Sequence, residues 1–246
     1  MEWISHRGES KDAPENTMSA FKLAVQRDTS GIETDIHLTQ DGKLVCIHDS
    51  DTKRVTVESR IVEKTTFEEL LAMDFCNGKE LFRGEKIPLF RDLLALLKPG
   101  KRYFIEVKQN DEKVLAAMAE ELHRMKIAPE QIVMISFHKD MVRLSKKYMP
   151  AVKTLWLTGF KETDGVFHPS REECAEILTE IHADGIDAAC NEDVFDEAAI
   201  AYLKSKGFFI SVWTVDEPDK AARYIQRGVD SITSNCAAMI RDTLEK

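Results

Sequence analysis

The strongest constraint on the fold is a rhythm: a short β-branched or aromatic run, then a longer stretch with apolar residues three or four apart, repeated eight times. The runs are "EWIS", "GIETDIHLT", "RYFIEVK", "QIVMISF", "VKTLWLT", "GIDAAC", "FFISVWTV" and "DSITSN". Amphipathic stretches such as "DEKVLAAMAEELHRMK", "KDMVRLSKKY" and "DEAAIAYLKSKG" lie between them, and "CAAMIRDTLEK" closes the chain. Alternation of this kind implies a parallel sheet covered by helices. Eight units in 246 residues match a (β/α)8 TIM barrel in number and size. With 43% hydrophobic residues the chain can bury such a core, and no linker or internal repeat divides it, so 1–246 reads as a single domain.

One region breaks the rhythm. After "GIETDIHLT" come Gln40, Asp41 and Gly42, and then a second alternating run, "KLVCIHD", too soon for a helix. Asp-Gly between two strands predicts a β-hairpin. A two-residue loop at Asp41 and Gly42 pairs Gln40 with Lys43 and sets Asp35 opposite His48, which carries His48 back to the barrel top. The irregular stretch 50–88 then reads as a small insertion covering the catalytic face.

Charge narrows the partners. Against 34 basic residues stand 43 acidic ones, and a net charge of -9 argues against nucleic acid or an anionic membrane as the main partner. No apolar run approaches the roughly 18 residues of a membrane span, which speaks against stable membrane insertion, and no leader-like start is present, so the expectation is a cytoplasmic protein. The five cysteines are widely spaced without a CxxC pair, which disfavours a disulfide framework and a zinc site.

In "GIETDIH", Glu33 and Asp35 are two residues apart, so a strand turns both to one face and Ile32, Thr34 and Ile36 to the other. The apolar set belongs against the helices, which aims the carboxylates into the barrel. In "YFIEVK" the same alternation turns Glu106 and Lys108 inward. Like charges so close are unfavourable unless a cation or a shared proton offsets them. Three carboxylates at the catalytic end of a barrel suit a hard divalent cation, Mg²⁺ or Ca²⁺. Taken singly, each also fits a solvated strand end or an ion pair with Lys108.

His6 ends the first strand and His48 the hairpin, so both reach the rim of one pocket, where histidine serves as acid or base near neutrality. His123, His138, His168 and His182 read as surface hydrogen-bonding residues, and His37 as structural. Arg7 and Lys108 supply fixed positive charge whose natural client is a phosphate, although Arg7 equally fits an ion pair with Glu15. In "APENT", Pro14 suits a helix entrance and Asn16 or Thr17 can cap it, while Asn16 alternatively reaches the metal or phosphate. Trp213 shares strand parity with Phe209 and Ser211, which makes it a wall for the organic part of a substrate or a filler of the barrel top. Ser136 and Phe137 carry no separate chemistry.

Taken together, "HRG" with "PENT", "ETD", "DG" leading to "HD", "EVK" and "WTVD" resemble the glycerophosphodiester phosphodiesterase family in order and spacing, and "GEKIP" at the end of the insertion fits as well. The resemblance implies that His6 and His48 are the general acid and base, that Glu33, Asp35 and Glu106 bind a divalent metal, and that Arg7 with Lys108 engages phosphate. It implies hydrolysis of a small glycerophosphodiester to glycerol 3-phosphate and an alcohol, with water or the neighbouring glycerol hydroxyl as nucleophile. His48 is taken as the group that activates the nucleophile and His6 as the one that protonates the leaving alcohol. Two departures stand out. The last motif more usually ends in Asn where this chain has Asp216, and Cys76, Asn77 and Gly78 match the insertion weakly; both are expected to bear on substrate choice.

Rival readings share parts of this set. A lysophospholipase D or phosphatidylinositol-type enzyme would use the same chemistry but needs an apolar ridge, and Phe67, Phe75 and Phe82 are expected to pack the insertion's own core instead. A non-catalytic phosphodiester-binding barrel needs no histidine pair. A metal-dependent aldolase or isomerase leaves the histidines and Arg7 without a shared task.

Overall fold

The computed structural model describes residues 1–245. In chain order its elements are β1 (Glu2–His6), α1 (Met18–Gln26), β2 (Gly31–Leu38), β3 (Leu44–Cys46), α2 (Phe67–Leu71), α3 (Phe90–Leu94), β4 (Arg102–Val107), α4 (Glu112–Arg124), β5 (Ile132–Ser136) and α5 (Lys139–Tyr148). There follow β6 (Lys153–Thr158), β7 (Lys161–Thr163), β8 (Val166–His168), α6 (Arg171–Glu180), β9 (Gly185–Ala189), α7 (Glu197–Ser205), β10 (Phe209–Trp213), α8 (Pro218–Gln226), β11 (Ser231–Ser234) and α9 (Ala237–Leu244). β1 pairs in parallel with both β2 and β11, which closes a barrel in the order β1, β2, β4, β5, β6, β9, β10, β11. The eight strands expected from the sequence are these eight. No helix among the described residues is long and apolar enough to cross a membrane.

Strand alternation sorts the side chains as expected. Ile32, Ile36, Tyr103, Ile105 and Val107 face outward and pack with Phe21, Phe90, Leu93, Leu115 and Met118 from α1, α3 and α4. Burying such side chains contributes roughly 1.5–3 kcal/mol each. Inward, Ile4, Phe104, Val133, Ile135, Leu155 and Leu157 form an apolar core. On β9 to β11 several inward positions are different: Asp187, Ser211, Ser231 and Thr233 are polar and buried, while Phe209 and Trp213 pack against the apolar core. The insertion has its own small core, in which Val45, Ile47, Val55, Val62, Leu70, Phe75 and Ile87 pack with Phe67. Phe82 is half-buried and stands apart from it.

The hairpin register differs from the expectation by one residue. Ile36 pairs with Cys46, His37 with Val45 and Leu38 with Leu44, and Ile47 N donates to Asp35 O at 3.0 Å, so Asp35 lies opposite Ile47 and not His48. The loop is Gln40, Asp41 and Gly42, with Gly42 at φ 72° and its N–H bonded to Thr39 O. A three-residue turn closed by a left-handed glycine competes with the two-residue turn for the same Asp-Gly signal. His48 still reaches the barrel top because β3 ends at Cys46 and the chain leaves the sheet before His48. A second hairpin went unforeseen. β7 and β8 pair with Thr163 opposite Val166, around Asp164 and Gly165, both at positive φ. Here Asp-Gly does make the two-residue turn, on the face where the site lies.

Gly8 marks where the first loop meets the barrel. It follows Arg7 at φ 55°, has φ 80° itself, and a Cβ placed on it would lie 2.6 Å from Ala20 C. Gly42 has a similar φ but open space around it. Gly8→Ala should therefore cost roughly 1–3 kcal/mol from backbone strain plus a further overlap term, and Gly42→Ala the strain alone. Thermal unfolding of the two variants checks this, and an equal loss of Tm would contradict the close approach of the loop to α1.

Candidate active site

The C-terminal ends of β1, β2 and β4, together with the hairpin, bring the expected residues together around one cavity of 140 Å³, lined by all of them but the fully buried Asp35. His6 and Arg7 come from β1 and its loop, Glu33 and Asp35 from β2, Glu106 and Lys108 from β4, and His48 from beyond β3. β2 lies between β1 and β4 in the sheet, with His6 level with Glu33 and Asp35 level with Glu106. Adjacency of three strands thus sets three carboxylates together. One oxygen of each lies within 4.8 Å of the others, and this is the one such cluster found among the described residues.

Asp35 is the centre. It is fully buried, and its carboxylate faces Lys108 Nζ at 3.1 Å, Arg7 Nε at 3.2 Å and Asn16 Nδ2 at 2.8 Å. Burial alone would raise its pKa, but Lys108 and Arg7 outweigh that and hold it below the ordinary carboxylate range. Its neighbours behave in the opposite way. Burial and then the charge of Asp35 raise Glu33 well above its usual value and push Glu106 up to about 8. Two carboxyl groups whose ionisation is disfavoured beside one whose ionisation is favoured are short of positive charge. Asp35 Oδ1, moreover, lacks a well-formed hydrogen bond. A three-carboxylate donor set in that condition fits a hard divalent cation.

Asn16 resolves the alternatives left open for it. Thr17 caps α1, accepting from Ala20 N, whereas Asn16 sits at φ 54°, receives Thr34 Oγ1 at 2.7 Å and donates to Asp35. Arg7 likewise does two jobs: Nη1 bonds Glu15 at 2.9 Å, and its backbone N–H donates to Glu33 Oε2 at 3.0 Å.

Both histidines are held through Nδ1. His48 Nδ1 lies 2.7 Å from Asp49 Oδ1, and a carboxylate only accepts, so Nδ1 carries the proton. His6 Nδ1 lies 2.7 Å from Asn235 Oδ1; the amide cannot turn, because its Nδ2 donates to Asp216 Oδ2 at 2.6 Å. Each ring therefore leaves Nε2 for chemistry, and that of His6 points toward Glu33 at 3.8 Å. Burial, then Arg7, pushes His6 down to about 4. Burial also lowers His48, with Asp35 pulling the other way. His37 Nε2 meets the carbonyl of His48 at 3.2 Å, the structural role expected of it.

Several members were missed by sequence reasoning. Arg54, from the insertion, donates Nε to Asp49 at 2.6 Å and both terminal nitrogens to Glu15 at 2.7 and 2.8 Å, so it links the supports of His48 and Arg7. Lys79 binds the carbonyls of Ser10, Lys11 and Ala13 at 2.6, 3.0 and 2.7 Å and pins the loop after Arg7. Asp216, expected to bear on substrate choice, accepts from Asn235, the partner of His6, and so orients it. Only the sequence neighbour Asp49 had a local signal, its adjacency to His48; the rest are joined across the fold. The far wall holds Ile135, Leu157, Phe137 and Trp213, the last two edge to face with centroids 5.8 Å apart. Trp213 is thus both cavity wall and barrel filling.

A sequence profile of the glycerophosphoryl diester phosphodiesterase family matches residues 6–238. A glycerophosphodiester phosphodiesterase of Caldanaerobacter subterraneus subsp. tengcongensis is 31% identical over 245 residues, covering 94% of this chain and 93% of the relative. A phosphodiesterase of Oleispira antarctica, solved with the product sn-glycerol 3-phosphate, superposes with a TM-score of 0.87 at 23% identity, over 100% of this chain and 97% of that one. A glycerophosphodiester phosphodiesterase of Parabacteroides distasonis gives 0.78 at 26% identity, over 99% and 96% of the two chains.

Glu15 and Asp49 share Arg54 as a partner. Glu15→Gln and Asp49→Asn should therefore be non-additive, with a coupling of roughly 0.5–3 kcal/mol in unfolding free energy that disappears in an Arg54→Met background. Denaturant titration of the double-mutant cycle measures it, and strict additivity with Arg54 present would remove the link.

Proposed function

The chain belongs to the glycerophosphoryl diester phosphodiesterase family, and from that premise we propose that it hydrolyses glycerophosphodiesters to glycerol 3-phosphate and an alcohol, with a divalent cation on Glu33, Asp35 and Glu106 and with His6 and His48 as the acid–base pair. The observation that carries the reading is the cavity itself. Glu33, Glu106, two histidines with Nε2 available, a guanidinium and an ammonium line it, with the Asp35 carboxylate buried beside them, and these are the groups that charge neutralisation and proton transfer at a phosphodiester require.

Mg²⁺ or Ca²⁺ bound by the three carboxylates would supply charge stabilisation to the phosphate oxygens. Arg7 and Lys108 add fixed charge and orient the diester. The acceptors behind the histidines divide their roles. His6, buried, backed by a neutral amide and pushed down to about 4, stands unprotonated and suits the base. His48, backed by the Asp49 carboxylate, better supports an imidazolium and suits the acid at the leaving alcohol. This reverses the assignment expected from the sequence. Either water or the neighbouring glycerol hydroxyl fits as nucleophile; the second route passes through a cyclic phosphate, visible by ³¹P NMR.

The test is a panel of glycerophosphodiesters assayed with Mg²⁺, Ca²⁺ or chelator. Turnover with a divalent cation and none with chelator is expected, and inactivity with every metal would sink the reading. His6→Ala and His48→Ala should each lower kcat about 10²–10⁴-fold, and undiminished turnover removes that residue from the scheme. A cation at about 100 times its Kd should stabilise the protein by about 2.7 kcal/mol. Both histidine variants should keep this stabilisation, while Glu33→Gln and Glu106→Gln should lose it. Glycerophosphocholine should outpace its lyso form below the micelle concentration; the reverse result points to a lysophospholipase D.

A further inference from the structure

One polar row inside the barrel has no task in the chemistry just described. Asp187 is level with Ser211, Ser211 with Ser231 and Ser231 with Glu2, so the row crosses β9, β10, β11 and β1 in turn. It also descends. Asp187 and Ser211 are the third residues of β9 and β10, while Ser231 and Glu2 are the first of β11 and β1. Strands about 4.8 Å apart and tilted by about 36° lower such a row by roughly 3 Å per strand. Its upper end, Asp187, lines the catalytic cavity together with Thr233, two residues beyond Ser231. Its lower end, Glu2, lines an open cavity of 530 Å³ where the strands begin. Asp187 Oδ1, Ser211 Oγ, Ser231 Oγ, Thr233 Oγ1 and Glu2 Oε2 are buried and have no hydrogen-bond partner among the described residues. Five of the nine such atoms found there lie along this one seam, so the deficit belongs to the seam and is not scattered.

We propose that this seam holds a file of ordered waters that joins the floor of the catalytic cavity to solvent at the opposite end of the barrel. Buried polar atoms without protein partners are where internal waters bind, each water typically making about three hydrogen bonds. Side chains on adjoining strands stand about 4.8 Å apart, a span that one bridging water covers with two hydrogen bonds. Serine is also small where β5 and β6 carry Ile135, Leu155 and Leu157, which leaves room beside the hydroxyls. At the lower end Glu2 Oε1 is held by Arg102 Nη1 at 2.9 Å, and Oε2 is left for the last water. At the upper end burial pushes Asp187 up to about 7, against the nearby Ser211 hydroxyl, so near neutrality the carboxyl can accept from a water or donate to it. A diester seated in the mouth closes the cavity from above, and the file then gives water a second way in and out from below. That exchange rests on the site taking a phosphodiester; the file itself does not.

Three measurements test it. A high-resolution crystal structure of the wild type should show waters bonded to Ser211 Oγ and Ser231 Oγ; hydroxyls bonded to protein carbonyls with no water beside them overturn the file. Ser211→Ala and Ser231→Ala separate the two cases by sign. In a hydrated seam each variant takes a hydrogen-bond partner from a bound water, and Tm falls. In a dry seam each removes an unpaired buried hydroxyl, so a Tm that rises or stays put overturns the proposal. Magnetic relaxation dispersion of ¹⁷O water reads the exchange. Saturating sn-glycerol 3-phosphate should leave the residence time of the internal waters unchanged in the wild type and lengthen it at least tenfold in Ser231→Val, whose methyl groups obstruct the row. Ser211→Val places the same obstruction one strand away and carries this arm if the first variant does not fold. Lengthening in the wild type, or none in the valine variants, overturns the second route. The crystallographic and thermal arms need no ligand. A wild type that neither binds sn-glycerol 3-phosphate nor turns over glycerophosphodiesters therefore overturns the enzymatic reading, while those two arms still decide the file.

Discussion

The buried carboxylate of Asp35 is the interaction on which the rest of the site depends. Closing the barrel puts β2 between β1 and β4, and this adjacency forces Asp35, Glu33 and Glu106 into one water-poor corner. An unpaired charge there would be untenable, so positive and donor groups gather: Arg7 from the β1 loop, Lys108 from the end of β4 and Asn16 from the turn before α1. Each of these positions follows from the one before it. Arg7 and Asn16 both adopt left-handed backbone to reach Asp35, and Gly8 gives their loop the room to lie against α1. Even so, burial and the charge of Asp35 raise both Glu33 and Glu106 above the ordinary carboxylate range, which makes the cluster a donor set suited to a further cation and not a completed salt bridge.

The insertion helps to hold the site in place. A segment of this kind could be a lid that merely excludes water, but Arg54 reaches out of it to the supports of both His48 and Arg7, and Lys79 ties down the loop that follows Arg7. A planar guanidinium with its donors in a fixed fork serves both carboxylates at once, which a lysine could not do. Arg7 and His48, supplied by segments some forty residues apart, are therefore linked to one another through a single side chain.

The two histidines share a tautomer but differ in what holds it. Both rings are held at Nδ1 and present Nε2, yet one leans on a carboxylate and the other on an amide whose orientation is set by Asp216. Burial lowers both rings, and the hydrogen bond at Nδ1, to an amide in one and a carboxylate in the other, works against it in each. The substitution at the end of "WTVD" thus belongs to the support of His6, a link invisible from the motif alone because Asp216 and Asn235 meet only where β10 and β11 run side by side.

Period-two and period-three-to-four patterns are local, so the eight strands, the inward aim of Glu33, Asp35, Glu106 and Lys108, and the outward aim of Ile32, Ile36 and Val107 were all legible in the chain. Residue types in order along it sufficed for the metal-ligand, phosphate and histidine candidates. Asp-Gly, in contrast, was read one residue wrong at 41–42 and passed over at 164–165, because the dipeptide suits several turns and only the sheet it joins selects among them. Which of Asn16 and Thr17 caps α1, which side chain holds each histidine and how Arg54 joins the two halves of the site were decided by tertiary structure. These depend on distances between residues far apart in sequence, and such distances exist only once the barrel has closed and the first strand lies beside the last.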